Sequence, residues 1–423
     1  MENEVRRTAF EFERQIELGY AADNRQSFDE YAKYVLDLKS RSGAKYRTIE
    51  RYNDLLERIT PAIGHLKLSD IRPQHLNDFY KNLGEAGIRK PQNKAVCNID
   101  LYSIIKAQGL SRAKLAVKAN VSPSSITMAC QGKKISLATA QAIAKALDEK
   151  LDKLFLVEID NATLSNKTIL EHHRLIRTVL AQAEREMLVP YNAASKATPP
   201  KAERHEANYF QVGDVERIRD ALESEPLKWK LATHLLLITG CRRGEIMGLK
   251  WSKVDFARCR IKIDCALLYS AKRGIYEDTT KTGNVRFIKL PLETMQLLGE
   301  YRRWYLELRL KNGDRWVNTD YLFVRDNGNP MTPDGITAWL AEFSKRHNLP
   351  HINPHAFRHT MASILIQSGK DVVSVSKRLG HAKVSTTTDL YSHIIQEADE
   401  DASECLANVM LRPRNAGNRK ISG

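Results

Sequence analysis

Between residues 95 and 160 the chain is punctuated so often that no helix there can run much beyond about three turns. LYSIIKAQG stops at Gly109, SRAKLAVKA opens at Ser111, and SPSSITMACQG opens at Ser122 with Pro123 in the first helical position. SLATAQAIAKALD and LDKLF follow. A serine at each start can accept a hydrogen bond from a free N–H of the first turn, and a proline just inside it loses no bond. Helices this short do not persist alone in water, so the segment must pack as a small bundle of its own. Leu115 and Ala116 sit on one helix, the chain turns at Asn120-Val121-Ser122, and Ile126 is the buried position of the next.

The flanks are built differently. Ser27-Phe28-Asp29-Glu30 has the form of a capping box, and Tyr31, Tyr34, Val35 and Leu38 then share one helical face. A basic run, Arg41, Lys45, Arg47 and Arg51, leads into a second amphipathic helix that Pro61 is expected to end. IRPQHLNDFYKNLGEAG reads as a third helix stopped by Gly84 and Gly87, and SNKTILEHHRLIRTVLAQAEREML as a long fourth one carrying Lys167. The inserted bundle thus interrupts a helical, basic module. AASKATPPKAERHEA, residues 193–207, is small, polar and broken by Pro199-Pro200, so it reads as an extended linker, taken from 196 onward.

Beyond the linker the pattern changes again. VGDVERIRDALES and LKWKLATHLLLITG read as helices. ARCRIKIDCA, GIYEDTTKT and VRFIKLPL read as three short strands, with Gly283-Asn284 as a tight turn between the last two. Helices then run toward the C-terminus. The fold class expected is mainly α with a small antiparallel β-sheet, in several domains.

Charge narrows the partner. The 423 residues carry 66 Lys and Arg against 51 Asp and Glu, a net charge of +15, which suits a polyanion such as nucleic acid. No window approaches the roughly 18 apolar residues of a membrane span. MENEVRRTAFEFERQ lacks the apolar stretch of a signal peptide, so a cytoplasmic, nucleoid-associated location in a bacterium is expected. The six cysteines (97, 130, 241, 259, 265 and 405) form no ligand spacing and read as free thiols. His172-His173 and His205-Glu206 do not extend into a metal-binding motif, and no cofactor is expected.

The chemistry lies in the last third. TGCRRGEI turns at Gly240 and starts a helix with Arg242 and Glu245; Lys281 lies in TKTGNVRF; His355 and Arg358 are three apart in HAFRHT, on one helical face; His381 follows in RLGHAK and Tyr391 in TTTDLYSH. Two guanidiniums can each bind two non-bridging oxygens of a phosphodiester with planar forks that never lose charge. A tyrosine hydroxyl becomes a nucleophile once a base takes its proton, a role open to His355. Lys281 can protonate the leaving 5′ oxygen, and His381 can donate to the phosphate or support the nucleophile. Glu245, three residues after Arg242, orients its basic neighbours.

Arg, Lys, His-x-x-Arg, His, Tyr in that order resembles the tyrosine recombinases, or phage integrases. The resemblance covers most of the chain, with a match at all six positions. It implies a helical core-binding domain over 27–94 and 161–195, a catalytic domain over 208–400, an N-terminal extension over 1–26 and a C-terminal helix and tail over 401–423. It also implies a covalent 3′-phosphotyrosine on Tyr391 and cleavage without metal or ATP. Four protomers, as two dimers, would exchange strands between two double-stranded DNA attachment sites through a Holliday junction. The free protein is expected as a monomer, with an accessory directionality factor as a further partner and no membrane. In such enzymes a C-terminal helix packs onto a neighbouring protomer; Ile394, Ile395, Ala398, Ala402, Leu406 and Val409 have the spacing for it, as they do for packing on their own domain.

GLSRAKLAVKANVSPSSIT and IAKALDEKLDKLF resemble the lambda-repressor/Cro-type helix-turn-helix family. That resemblance puts Ser124, Ser125 and Thr127 near base edges in the major groove, whereas protein contact alone is the competing role for the segment. The insert is unusual for an integrase, and fewer residues precede Ser27 than an arm-binding domain needs; the insert is expected to supply the missing DNA contact. Integration and excision of a mobile element is therefore the expected function. A type IB topoisomerase or a catalytically silent DNA-binding regulator are the alternatives.

Overall fold

The computed structural model describes residues 5–6, 9–10, 26–89, 93–160, 162–203 and 209–392. They divide into two compact units, Met1–Arg204 and His205–Gly423. Among the described residues no helix is long and apolar enough to cross a membrane.

The first unit holds two separate cores. One joins the helices Phe28–Arg41, Tyr46–Ile63 and Pro73–Leu83 to Asn166–Arg185 and the short Ala193–Lys196. The capping box forms, with Ser27 Oγ accepting from the Glu30 N–H at 3.3 Å and Glu30 Oε2 accepting from the Ser27 N–H at 3.1 Å. The buried stripe of that helix is Phe28, Tyr31, Ala32, Val35 and Leu36, one step around from the expected face. Tyr34 and Leu38 are exposed instead, and Tyr34 reaches Glu186 beside the Tyr31 hydroxyl. Pro61 does not end the second helix, which runs on to Ile63. So near the C-terminus, its missing N–H costs a single bond and its kink little packing. Ala193 and Ala194 are buried in this core, so the first residues of AASKATPPKAERHEA are helix rather than linker. His172 and His173 are buried here too, on the Thr168 carbonyl and the Tyr80 hydroxyl respectively.

The second core belongs to the insert. Its helices, Leu101–Ala107, Arg112–Lys118, Pro123–Cys130, Leu137–Ala146 and Leu151–Leu154, surround Leu115, Ala116, Ile126, Ile143 and Leu154. Asn120 takes φ +51° in the turn, a left-handed value that asparagine accepts more readily than most residues. The sequence reading anticipated helices alone; the structure adds a three-stranded sheet. Strand β1 (Lys94–Cys97) lies between β2 (Ile135–Ser136) and β3 (Phe155–Glu158), antiparallel to both. Segments of four residues or fewer are too short for alternation to register. The β1–β3 pair is a neck: Lys94 faces Glu158 at the entry and exit of the insert, Asn93 Oδ1 accepts from the Asp160 N–H at 2.9 Å, and Arg89 pairs with Asp160 at 3.4 Å.

In the second unit, the helices Val212–Leu222, Leu227–Thr239, Arg243–Met247, Leu292–Asn312, Asp334–Arg346 and Pro354–Gln367 pack with the sheet strands around one apolar core. The strands correct the expected hairpin. The run ARCRIKIDCA breaks at Asp264, which binds Lys253 and Lys262, into β5 (Arg260–Ile263) and β6 (Cys265–Ser270). Strand β7 (Gly274–Thr279) pairs with β6, whereas β8 (Arg286–Lys289) pairs with β5, which also carries β4 (Val254–Asp255). Residues 280–285 are therefore a crossing between two sheets rather than a tight turn, although Gly283 does take φ +72°.

The neck makes a prediction. Because Lys94 and Glu158 face each other, roughly 5 Å apart as directly paired strand residues are, a two-residue Asn-Gly turn can replace residues 95–157. The remaining helices should keep their far-UV circular dichroism and one cooperative thermal transition. Loss of that transition would count against the neck.

Candidate active site

Two helix C-termini frame the site. Helix Leu227–Thr239 ends at Gly240 with φ +61°, and helix Val372–Leu379 ends at Gly380 with φ +69°. Gly240 is confined as well as left-handed, since a Cβ would stand 2.1 Å from Met361 Cε and 3.2 Å from Leu379 Cδ2. The last carbonyls of a helix have no partner within it and carry partial negative charge. Arginines fill that role here: Arg358 donates Nη1 to the Gly240 carbonyl and Nη2 to the Leu379 carbonyl, each at 2.7 Å, and Arg378 donates to the Ile238 carbonyl at 3.0 Å. Arg358 is buried; desolvation first, and then the charge of Arg242, brings its pKa down to about 10, which leaves it charged at neutral pH.

Arg242 is the N-cap of helix Arg243–Met247 and is tied to Glu245, which accepts its backbone N–H at 2.9 Å and its Nη1 at 3.0 Å. Glu245 is buried. Burial works to raise its pKa, but hydrogen bonding and charge from Arg286, and then Arg242, hold it below the ordinary carboxylate value. Arg286 is a residue the sequence reading gave no role. It lies at the start of β8 and grips the same carboxylate at 2.6 and 3.4 Å.

Lys281 stands exposed on the crossing, whose Thr282 hydroxyl donates to the Gly380 carbonyl at 3.4 Å. His355 lines a cleft of about 350 Å³ with Arg242, Arg243, Gly244, Thr337, Asn353 and Pro354. Desolvation, then the charges of Arg358, Arg242, Arg243 and Lys281, push its pKa down, so all four cations lie near it. His381 binds Thr387 Oγ1 through Nδ1 at 2.8 Å, and its pKa is pushed down to about 4 by desolvation and by Arg358 and Arg242. The structure thus brings Lys281, His355 and His381 into the neighbourhood of Arg242 and Arg358.

Tyr391 lies in the helical residues 385–392, buried against Met361, Ala362, Ile366, Val375 and Leu379. Its hydroxyl meets Nδ1 of His359 at 2.8 Å, not His355, the histidine expected to take its proton. His359 follows Arg358 directly, in a helix whose turn brings positions 355, 358 and 359 round to one side; HAFRHT contained it, but without contacts nothing distinguished it from a packing residue. Desolvation, then His355 and Arg358, hold its pKa at about 4, and burial, opposed by Arg358, pushes Tyr391 up to about 12. With His359 neutral and its proton on Nε2, Nδ1 accepts from the phenol.

The expected DNA contacts lie in the first unit. Arg41 pairs with Asp37, Arg47 with Glu50 at 2.6 Å, and Arg51 with Glu171 at 2.5 Å; Lys167 is exposed. Lys45 precedes helix Tyr46–Ile63. In the insert Ser124 and Ser125 both bind the Ser122 hydroxyl at 2.8 Å, and Thr127 donates to the Pro123 carbonyl at 3.1 Å. A groove the sequence did not disclose, about 510 Å³ in volume, brings Lys39, Arg177 and Arg185 together beside Leu38. Ile394, Ile395, Ala398, Ala402, Leu406 and Val409, with Cys405, His205 and Glu206, lie outside the described residues.

Residues 208–397 match the phage integrase family, residues 27–84 the SAM-like N-terminal domain of phage integrases, and residues 101–154 a helix-turn-helix family. The chain is a tyrosine recombinase of the phage integrase family. It is 27% identical over 266 residues to a "Tyrosine recombinase XerC-like" protein of Caldanaerobacter subterraneus subsp. tengcongensis, covering 58% of this chain and 67% of that protein. It is 24% identical over 249 residues to the ICEBs1 integrase of Bacillus subtilis (strain 168), at the same coverage. The fold is similar to that of the Tn1549 transposon integrase solved with a circular intermediate DNA, with TM-score 0.60 and 18% identity, covering 90% of this chain and 100% of that one.

The recombinase site predicts a pH effect. Each of His359 and His381 titrates at about 4 folded against about 6.5 unfolded, so the unfolded chain binds more protons between those values. Stability is full above pH 6.5 and falls as pH drops toward 4. His359→Gln should flatten that fall in a thermal-melt series across the range; an unchanged slope would contradict the burial of a neutral His359.

Proposed function

We propose that this recombinase cuts and rejoins double-stranded DNA through a covalent bond between Tyr391 Oη and a 3′ phosphate, to integrate and excise a mobile element. The carrying observation is the setting of Arg358: charged, buried, and bonded to carbonyls rather than to a carboxylate. Its remaining N–H groups are held in a fixed direction with their charge uncancelled. Arg242, which lines the cleft with His355, supplies the second fork, and the two hold the non-bridging oxygens as negative charge grows. Such fixed donors are worth about 3–4 kcal/mol each in transition-state stabilisation.

In the arrangement seen, Tyr391 keeps its proton, because a buried phenol near 12 does not yield it to an imidazole near 4. Attack therefore needs residues 385–392 to shift the hydroxyl from His359 toward the bound phosphate. There the arginine charges favour the phenolate, and neutral His355 can take the proton. Tyr391 Oη forms the bond to phosphorus, the bond to the 5′ oxygen breaks, and Lys281 protonates that oxygen. His381 donates to a phosphate oxygen. Reversal by a second 5′ hydroxyl reseals the strand and conserves the bond energy. The transposon and ICEBs1 integrases among its relatives support the mobile-element reading, and with it four protomers acting on two attachment sites through a Holliday junction.

Arg41, Lys45, Arg47, Arg51 and Lys167 run along the phosphates, exchanging their carboxylate partners where they have them for DNA, and Ser124, Ser125 and Thr127 face the groove from the insert. On DNA carrying a nick that traps the cleaved end, the wild type should form a covalent adduct and Tyr391→Phe none, with equal retention in a gel-shift assay. An adduct in the Phe variant would remove Tyr391 as nucleophile. Deleting residues 95–160 should shorten the footprint on attachment DNA; an unchanged footprint would assign the insert to protein contact.

A further inference from the structure

We infer that Arg286 is a positioning residue for strand cleavage: it offsets the charge of Glu245 so that Arg242 stays available to the phosphate, and it fixes the turn that delivers His381. The inference rests on the recombinase reading above. Arg286 is buried, and all three of its guanidinium nitrogens are engaged inside the protein. Nη2 and Nη1 donate to the two oxygens of Glu245 at 2.6 and 3.4 Å, Nη2 also lies 3.3 Å from Cys241 Sγ, and Nε donates to the Arg378 carbonyl at 3.0 Å.

The two halves of the inference follow from those bonds. Glu245 accepts from the backbone and side chain of Arg242 as well. A lone buried carboxylate against Arg242 would form a closed ion pair with its charge spent. A second guanidinium on the same carboxylate shares that attraction and leaves net positive charge facing the phosphate. On the other side, Arg286 meets the chain at the end of helix Val372–Leu379. It holds the Arg378 carbonyl, and Gly380 lies so close that a Cβ there would stand 2.9 Å from Arg286 Nη1. His381 is the next residue. Arg286 also closes the crossing that carries Lys281, at whose other side Thr282 bonds Gly380. One buried side chain thereby sets the relative positions of the Arg242 turn, the Lys281 crossing and the His381 turn.

The test is the single-turnover rate of covalent adduct formation by the full chain on nicked attachment DNA. R286M should slow it roughly 100-fold, as loss of a well-oriented donor does, while retention of DNA in a gel shift stays near wild type. R286K, which keeps the charge but not the fork, should fall between. E245Q/R286M, which removes both charges, should be at least about tenfold faster than R286M at a temperature where both variants are fully folded by thermal melt; an arginine that served folding alone would leave the two rates equal there. Should R286M not fold, R286Q against E245Q/R286Q gives the same comparison. An R286M rate within about threefold of wild type would overturn the inference, and so would a double variant as slow as the single one. Wild type that forms no adduct on any attachment DNA would instead overturn the recombinase reading itself.

Discussion

The catalytic unit depends on how a buried guanidinium is kept charged. Removing an ion from water costs several kcal/mol unless something inside the protein takes the place of the solvent. For Arg358 that substitute is a pair of helix ends: the carbonyls of Gly240 and Leu379 bring dipolar rather than full negative charge. A carboxylate would have stabilised the arginine more and left less for a substrate. The two left-handed glycines follow from this arrangement, since each lets its helix stop abruptly with its last carbonyls turned toward the arginine. Arg242 is handled otherwise, by a carboxylate shared with a second cation.

Much of the site was legible in the sequence because its signals are local. Arg242 and Glu245 are three apart, as are His355 and Arg358, and TGCRRGEI announces its turn by a glycine. What the sequence did not disclose depends on contacts between distant residues. Arg286 joins Glu245 across 41 positions, and His359 meets Tyr391 across 32. Neither partner can be read from spacing. Tyr391 itself was recognisable by its motif, but its burial and its proton were not.

The fold divides along the same line. Caps placed the short helices of the insert, and the capping box at Ser27 formed as expected, although Pro61 did not stop its helix. Strand pairing was less accessible: the sequence suggested β7 and β8 as neighbours because they are adjacent in the chain, whereas each pairs with an earlier strand. The apolar stripe of the first helix was displaced by one position, since tyrosines at 31 and 34 are both amphipathic and only packing decides which is buried. The basic residues near Arg41 were correctly seen as a cluster, yet the carboxylates that hold three of them could not be foreseen from charge alone.

The neck of the insert also bears on the entropy of the host core. A disordered excursion between the third and fourth helices of the host core would tax their association with the entropy of closing a long loop. Once the insert has folded on its own core, β1 and β3 present its two ends side by side, and the host chain meets the equivalent of a hairpin turn. The helix Asn166–Arg185 then meets the first three across a gap no wider than a strand pair. Four residues of strand pairing thus set how long a loop the host core has to close.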